Sequence, residues 1–122
     1  MKNTTQHELL TSQEMRILAN HLYELRKGVR KLILFTLPKR FEQIAQQRLK
    51  SQEVDYTIQH VNDEKINLYF GRKECVEAIK IIASRPLNQL SPEEDFILGT
   101  MLGYDICAQC ERYRKLKQCS GC

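Results

Sequence analysis

The pattern of apolar positions predicts a helix followed by a strand in the first third of the chain. Apolar residues recur at helical spacing after residue 10, at Ile17, Leu18, Leu22 and Leu25. Thr11 and Glu14 have the spacing of a capping box, and Gly28 is placed to end the helix. The continuous run Leu-Ile-Leu-Phe within residues 29–36 is typical of a central strand that is covered on both faces.

The middle of the chain predicts a second helix and a hairpin of two strands. Apolar residues return at helical spacing over residues 39–52. Residues 55–61 then alternate between apolar and polar, and so do residues 66–71. The polar turn at residues 62–65 lies between the two runs, so we expect them to pair with each other.

The last third of the chain predicts two helices. The first spans residues 73–84, where apolar residues again lie three or four apart. The second starts at residues 91–94, which combine an N-cap serine, a proline at the first helical position and a glutamate three residues after the serine. We expect this helix to run to about Lys117, with a bend near Gly99 or Gly103.

The order of the predicted elements is α-β-α-β-β-α-α, which indicates an α+β fold with a small mixed three-stranded sheet packed with helices. The first two strands are expected to form a right-handed parallel crossover, and the third strand to add antiparallel. We divide the chain into a flexible tail at residues 1–10, one domain at residues 11–118 and a cysteine-containing tail at residues 119–122. Such a narrow sheet has two edges close together, and a homodimer is one way to cover an edge.

Length and composition place the chain in a broad class. Its 122 residues fit one domain, and no stretch approaches the length of apolar sequence that crosses a membrane. The polar start of the chain has no apolar core of a signal peptide, so we expect a cytoplasmic protein. The five cysteines are an odd number, and a reducing compartment also disfavours a closed set of disulfides.

The net charge of +4 is mild and permits an acidic partner. Basic residues cluster at Arg26, Lys27, Arg30 and Lys31, and again at Arg112, Arg114, Lys115 and Lys117. The first cluster is a candidate site for an acidic protein or a phosphate group, although a basic run is more often only a solvated surface. Neither cluster matches a known nucleic-acid-binding motif, so we expect no nucleic acid.

Two CxxC pairs near the C-terminus are the clearest candidates for chemistry. They are Cys107 with Cys110 and Cys119 with Cys122, and eight residues separate the pairs. Four thiolates can bind zinc or an iron–sulfur cluster, and a single pair can act as a redox couple. The first pair is predicted to lie inside a long helix, far from a helix start, and the second in a tail beyond it. The alternative is that all four cysteines are ordinary packing residues or incidental thiols.

No other pattern in the sequence suggests catalysis. The three histidines are scattered, and the chain contains no phosphate-binding loop, no Ser-His-Asp arrangement and no HExxH motif. We therefore expect a protein without enzymatic activity and without a required cofactor.

Several segments resemble a small bacterial family that is described only as a domain of unknown function. They are residues 23–28, 32–38, 67–71, 90–99 and 102–105. The similarity covers roughly residues 17–113, and its most specific part is Leu-Ser-Pro-Glu-Glu-Asp-Phe-Ile-Leu-Gly. The resemblance implies an α+β fold, a dimer and a gene that is often encoded beside a flavodoxin, but no established activity and no catalytic residues. The cysteine tail at residues 119–122 does not belong to the family pattern.

Two hypotheses follow from the sequence. The leading one is an adaptor or regulator that binds an acidic protein, such as a flavodoxin, through Arg26, Lys27, Arg30 and Lys31. The alternative is a metal-binding or thiol-redox protein that uses Cys107, Cys110, Cys119 and Cys122.

Overall fold

The computed structural model describes residues 6–120 of the chain. The described helices are α1 (Gln6–Leu10), α2 (Gln13–Arg26), α3 (Glu42–Ser51), α4 (Lys73–Ile82), α5 (Pro92–Met101) and α6 (Ile106–Ser120). The strands are β1 (Leu32–Pro38), β2 (Asp55–His60) and β3 (Lys65–Gly71). The predicted α+β class and the three-stranded sheet are confirmed.

The sheet has the strand order β1-β3-β2, and both neighbouring pairs are antiparallel. The prediction of a mixed sheet with β1 and β2 paired in parallel is therefore wrong, because β3 lies between them. The central position requires a strand that is covered on every side. Only β3 is buried at each position from Ile66 to Gly71, whereas the positions of β2 are half-buried or exposed.

Successive side chains of each strand point to opposite faces of the sheet. Apolar residues therefore lie on both faces, and helices cover both. One face packs against α2 and α3, and its buried residues include Leu18, Ile33, Leu49, Leu68 and Phe70. The other face packs against α4 and α5, and its buried residues are Leu32, Tyr69, Val76, Ile79, Leu98 and Leu102. The strand Leu32–Pro38 thus contributes to both cores from one apolar run.

The N-terminal segment differs from the predicted tail at residues 1–10. Residues 6–10 form α1, and Leu9 packs against the core under α2 and α3. The start of α2 is capped by Ser12, whose Oγ accepts a hydrogen bond from the Met15 backbone N–H at 3.3 Å, rather than by Thr11. Residues 1–5 lie outside the described part of the chain.

The predicted long C-terminal helix is confirmed as α6, but its predicted start at residues 91–94 belongs to the separate helix α5, so the two helices form a hairpin. The helix α5 ends at Met101, and Gly103 adopts the left-handed backbone conformation with φ of +82°. Asp105 then starts α6, because its Oδ2 accepts a hydrogen bond from the Ala108 backbone N–H at 2.9 Å. The side chains of Asp95 and Arg112 join the two helices at 2.8 Å, so α6 returns along α5.

Candidate partner-binding surface

The four basic residues predicted to bind a partner point in different directions. Arg26 donates a hydrogen bond from Nη1 to Oε1 of Gln52, at the end of α3, at 3.1 Å. Lys27 lies over the ring of Tyr23, with its Nζ 5.4 Å from the ring centroid. Arg30 and Lys31 instead line a groove on the α4–α5 side of the sheet. Only this second pair therefore shares one concave surface.

We call this concave surface the basic groove, and its volume is about 580 Å³. One wall is formed by Val29, Arg30 and Lys31, and the other by residues 101–104 of the helical hairpin. Two of its apolar or aromatic side chains are strongly exposed, Val29 at 71% and Tyr104 at 54%. The basic groove thus combines two cations with exposed side chains that could be buried by a partner.

A turn and a backbone hydrogen bond hold residues 29–31, one wall of the basic groove, in place. Gly28 ends α2 in the left-handed conformation with φ of +76°, and the Val29 backbone N–H donates to the Glu24 carbonyl at 3.0 Å. The Lys31 carbonyl then accepts a hydrogen bond from the Arg72 backbone N–H at 2.9 Å. This bond ties the basic turn to the end of β3, so the sheet fixes the position of Lys31.

Tyr104 also lines a second groove of about 500 Å³ beside the first. Its apolar lining consists of Leu34, Leu87, Leu90, Leu98 and Leu102, and its polar lining includes Asn88, Gln109 and the ion pair of Asp95 with Arg112. The arginine donates two hydrogen bonds to the carboxylate, at 2.8 and 3.1 Å. Because Leu102 and Tyr104 line both grooves, the two form neighbouring parts of one concave surface on the hairpin.

A partly buried polar network lies on the same side of the sheet, and no pattern in the sequence predicts it. Asn67 accepts a hydrogen bond from Thr36 at 2.6 Å and donates one to Gln59 at 3.1 Å. The Tyr69 hydroxyl donates to the same Gln59 oxygen at 3.4 Å. Burial, with a smaller effect of Tyr104, raises the pKa of Tyr69 to about 12, so this hydroxyl stays neutral and remains a donor at neutral pH. These groups satisfy one another, which indicates a structural role.

The cysteines are placed differently from the sequence prediction. Cys107 and Cys110 are exposed in the first two turns of α6. The sequence-based prediction that they lie far from a helix start is therefore wrong. Cys119 lies on the same helix rather than in a tail, twelve residues after Cys107, which is about 18 Å along the helix axis. Cys122 lies outside the described residues.

This placement bears on the predicted zinc or iron–sulfur site. Thiolates lie about 2.3 Å from a zinc ion that they share, so an intact α6 keeps Cys119 from joining Cys107 and Cys110 around one ion. Among residues 6–120, no group of three or more histidine, cysteine, aspartate or glutamate side chains is arranged to bind a metal. The four-cysteine site stays a prediction, and within one chain it requires the last turns of α6 to unwind.

His21 is a half-buried titratable group next to the basic turn, and its Nδ1 atom is inaccessible. Its Nδ1 has no hydrogen-bond partner within the described chain and lies 3.7 Å from a Glu24 carboxylate oxygen. Its ring contacts Phe35 edge-on, with 5.4 Å between centroids. Burial lowers the pKa of His21, the positive charge of Arg30 lowers it further, and Glu24 partly opposes both.

We therefore predict that His21 makes the protein less stable in mild acid. Because its folded pKa lies below the usual 6.5, its neutral form stabilises the fold above pH 6.5, and this contribution is lost as the pH falls through the folded pKa. In His21→Leu, the unfolding temperature should fall less steeply below pH 6.5 than in the wild type. Equal slopes in the variant and the wild type would contradict the prediction.

The chain belongs to the family described as "Protein of unknown function (DUF2023)", which matches residues 16–116. This finding confirms the family resemblance that the sequence motifs indicated. The matched range contains both walls of the basic groove together with Cys107 and Cys110, but not Cys119 or Cys122. The chain matches no curated protein. In the described part of the chain, none of the helices has the length and apolar character needed to cross a membrane.

Proposed function

We propose that this member of the DUF2023 family is a non-enzymatic adaptor or regulator that binds an acidic partner protein, such as a flavodoxin, in the basic groove. The observation that carries the proposal is the pairing of Arg30 and Lys31 with the exposed side chains of Val29 and Tyr104 in one concavity. The proposal also places the protein in the bacterial cytoplasm and includes a homodimer, in which an edge strand is covered away from this groove.

The composition of the basic groove suits a protein partner. Arginine and tyrosine are enriched among the residues that contribute most to protein–protein binding. The groove offers Arg30 beside Tyr104, and Val29 adds apolar area that a partner can remove from water. Its lining supplies cations, apolar groups and one phenol rather than a nucleophile with a neighbouring base. These features support binding more than catalysis.

The charges near the groove favour an acidic partner. Arg72 and Lys73 are exposed at the start of α4, directly after the backbone bond that joins Arg72 to Lys31. Together with Arg30 and Lys31 they give this end of the sheet four basic residues, against the exposed carboxylates of Asp55 and Glu74. Opposite charges on two partners increase the association rate, and exposed charges are screened by salt.

The experiment that tests the proposal is a calorimetric titration of the chain with purified flavodoxin. We expect one-site binding, with a dissociation constant that rises at least about tenfold between roughly 50 mM and roughly 300 mM salt, because salt screens the charges that attract the partner. A small neutral protein of similar size is the control and should not bind. Binding that does not change with salt, or no binding at low salt, would contradict the proposal.

A further inference from the structure

The exposed pair Cys107 and Cys110 occupies the first two turns of α6. Asp105 is the residue before the helix, because its side chain accepts from the Ala108 N–H and its carbonyl accepts from the Gln109 N–H, both at 2.9 Å. Cys107 is therefore the second residue of α6, and Cys110 is the fifth. Residues three apart lie on the same side of a helix, so the two exposed thiols are neighbours.

The helical spacing brings these thiols close without joining them. Side chains at this spacing have Cβ atoms about 5 to 6 Å apart, whereas a disulfide requires about 3.5 to 4.5 Å. A bond between Cys107 and Cys110 therefore needs a shift of about 1 to 2 Å in the first turn. The first turn is where such a shift costs least, because its N–H groups have no partners within the helix.

The movement that closes the disulfide acts on the basic groove. The first turn of α6 is anchored by two hydrogen bonds, from the Ala108 and Gln109 backbone N–H groups to Asp105. We expect a shift of Cys107 to strain them, because Ala108 directly follows Cys107 in the same turn. Asp105 directly follows Tyr104, which lines both grooves, and Gly103 provides a left-handed turn at which the segment can rotate. Cys107 thus lies three residues after Tyr104, the last residue of the groove wall.

We propose that Cys107 and Cys110 form a reversible disulfide that displaces Tyr104 and weakens binding of the acidic partner. The effect on binding rests on the function proposed above, whereas formation of the disulfide does not. Because the bond distorts the start of α6, it is also easily reduced, as expected of a regulatory disulfide rather than a structural one.

The oxidant that fits this chemistry is a small disulfide such as oxidised glutathione. The thiolate of one cysteine attacks a glutathione sulfur, the glutathione S–S bond breaks, and one glutathione leaves as its thiolate. The second cysteine then attacks the cysteine sulfur of the mixed disulfide and releases the other glutathione. Two protein thiols are oxidised, two glutathione thiols form, and the two protons pass from the cysteines to glutathione.

The test uses the full chain in glutathione buffers that range from reducing to oxidising. After free thiols are alkylated, peptide mass spectrometry should find one disulfide, between Cys107 and Cys110, and it should disappear again in reduced glutathione. Amide NMR signals of residues 101–106 should shift on oxidation, which reads the movement without any partner. The double variant Cys107→Ser with Cys110→Ser should show neither change, and Cys119→Ser, which alters another exposed thiol of α6, should behave as the wild type.

The partner titration is then repeated with both forms, and the oxidised chain should bind flavodoxin at least about fivefold more weakly than the reduced chain. Thiols that stay reduced, or that pair in other combinations, would overturn the inference, and so would a disulfide with unchanged signals at residues 101–106. If the reduced chain does not bind at all, the proposed function fails, while the disulfide and the movement of residues 101–106 are still decided by mass spectrometry and NMR. A disulfide that leaves the affinity unchanged would overturn the regulatory role alone.

Discussion

Replacing Gly71 by alanine is expected to lower the free energy of unfolding by about 3 kcal/mol. Gly71 has φ of +149°, a conformation that residues with a Cβ atom rarely adopt. An added Cβ would overlap the carbonyl oxygen of Lys31 and lie 3.0 Å from the Cα of Leu32. Both are backbone atoms, so the strand itself would have to move.

The strand has little freedom to make that movement. Gly71 is the last residue of the central strand and is paired with Leu32 on one side and Asp55 on the other. A displacement would disturb both neighbouring strands and the bond from Arg72 to Lys31 that fixes the basic turn. Urea denaturation of the variant and the wild type measures the loss.

Gly28→Ala is the matched control for this prediction. Gly28 also has a positive φ, of +76°, but an added Cβ would meet no atom within 4 Å. We expect it to cost only about 1 kcal/mol, from the backbone conformation alone. If Gly71→Ala destabilised the protein no more than Gly28→Ala, the close approach of Lys31 would have no energetic importance.

Reversing the two charges of the basic groove is expected to weaken partner binding by about 10-fold to 100-fold, because attraction is replaced by repulsion. The variant combines Arg30→Glu with Lys31→Glu. Both residues lie in the turn between α2 and β1, outside the two buried cores, so the fold should persist. Titration with flavodoxin at low salt measures the affinity, and the unfolding temperature verifies that the variant is folded.

The matched control is Arg114→Glu with Lys115→Glu, which reverses two exposed charges in the second half of α6. It changes the net charge by the same amount but leaves the basic groove intact. We expect less than about a threefold change in affinity, because only the long-range field is altered. An equal loss in both variants would show that overall charge, and not the groove, determines binding.

Local sequence patterns predict most of the helices and strands correctly, but they do not predict the order of the strands in the sheet. The apolar run at the start of β1 favours a central strand, and this prediction is wrong, because β1 lies at an edge of the sheet. The run is apolar throughout because β1 contributes to both cores. Apolar and polar residues alternate along β3, which is typical of a strand with one exposed face, yet the residues of β3 are buried on both faces. Burial of Asn67 and Tyr69 depends on hydrogen bonds to Gln59 on β2, and such long-range satisfaction is not visible in a local pattern.

The hairpin of α5 and α6 shows which local signal was undervalued. Gly103 and Asp105 have the positions of a helix-ending glycine and an N-cap residue, two residues apart. The prediction of one continuous helix with a bend does not use either of these signals. A continuous helix with a bend places Cys107 and Cys110 in its interior, although they lie at the start of α6.

The candidate site was predictable only in part, because its geometry depends on contacts between residues that are distant in the sequence. The basic residues were evident in the sequence, but the direction of each side chain depends on its neighbours, as the bond from Arg26 to Gln52 demonstrates. Tyr104 lies more than seventy residues after Arg30, and only the folded hairpin brings it to the same groove.

The most direct test of the central claim is an NMR titration of the isotope-labelled chain with unlabelled flavodoxin at low salt. We predict that the largest changes in amide signals fall at residues 29–31 and 101–106, and that they diminish at roughly 300 mM salt. Changes centred elsewhere, for example on β2 or the second half of α6, or no change at any flavodoxin concentration, would contradict the assignment of the basic groove as the partner-binding surface.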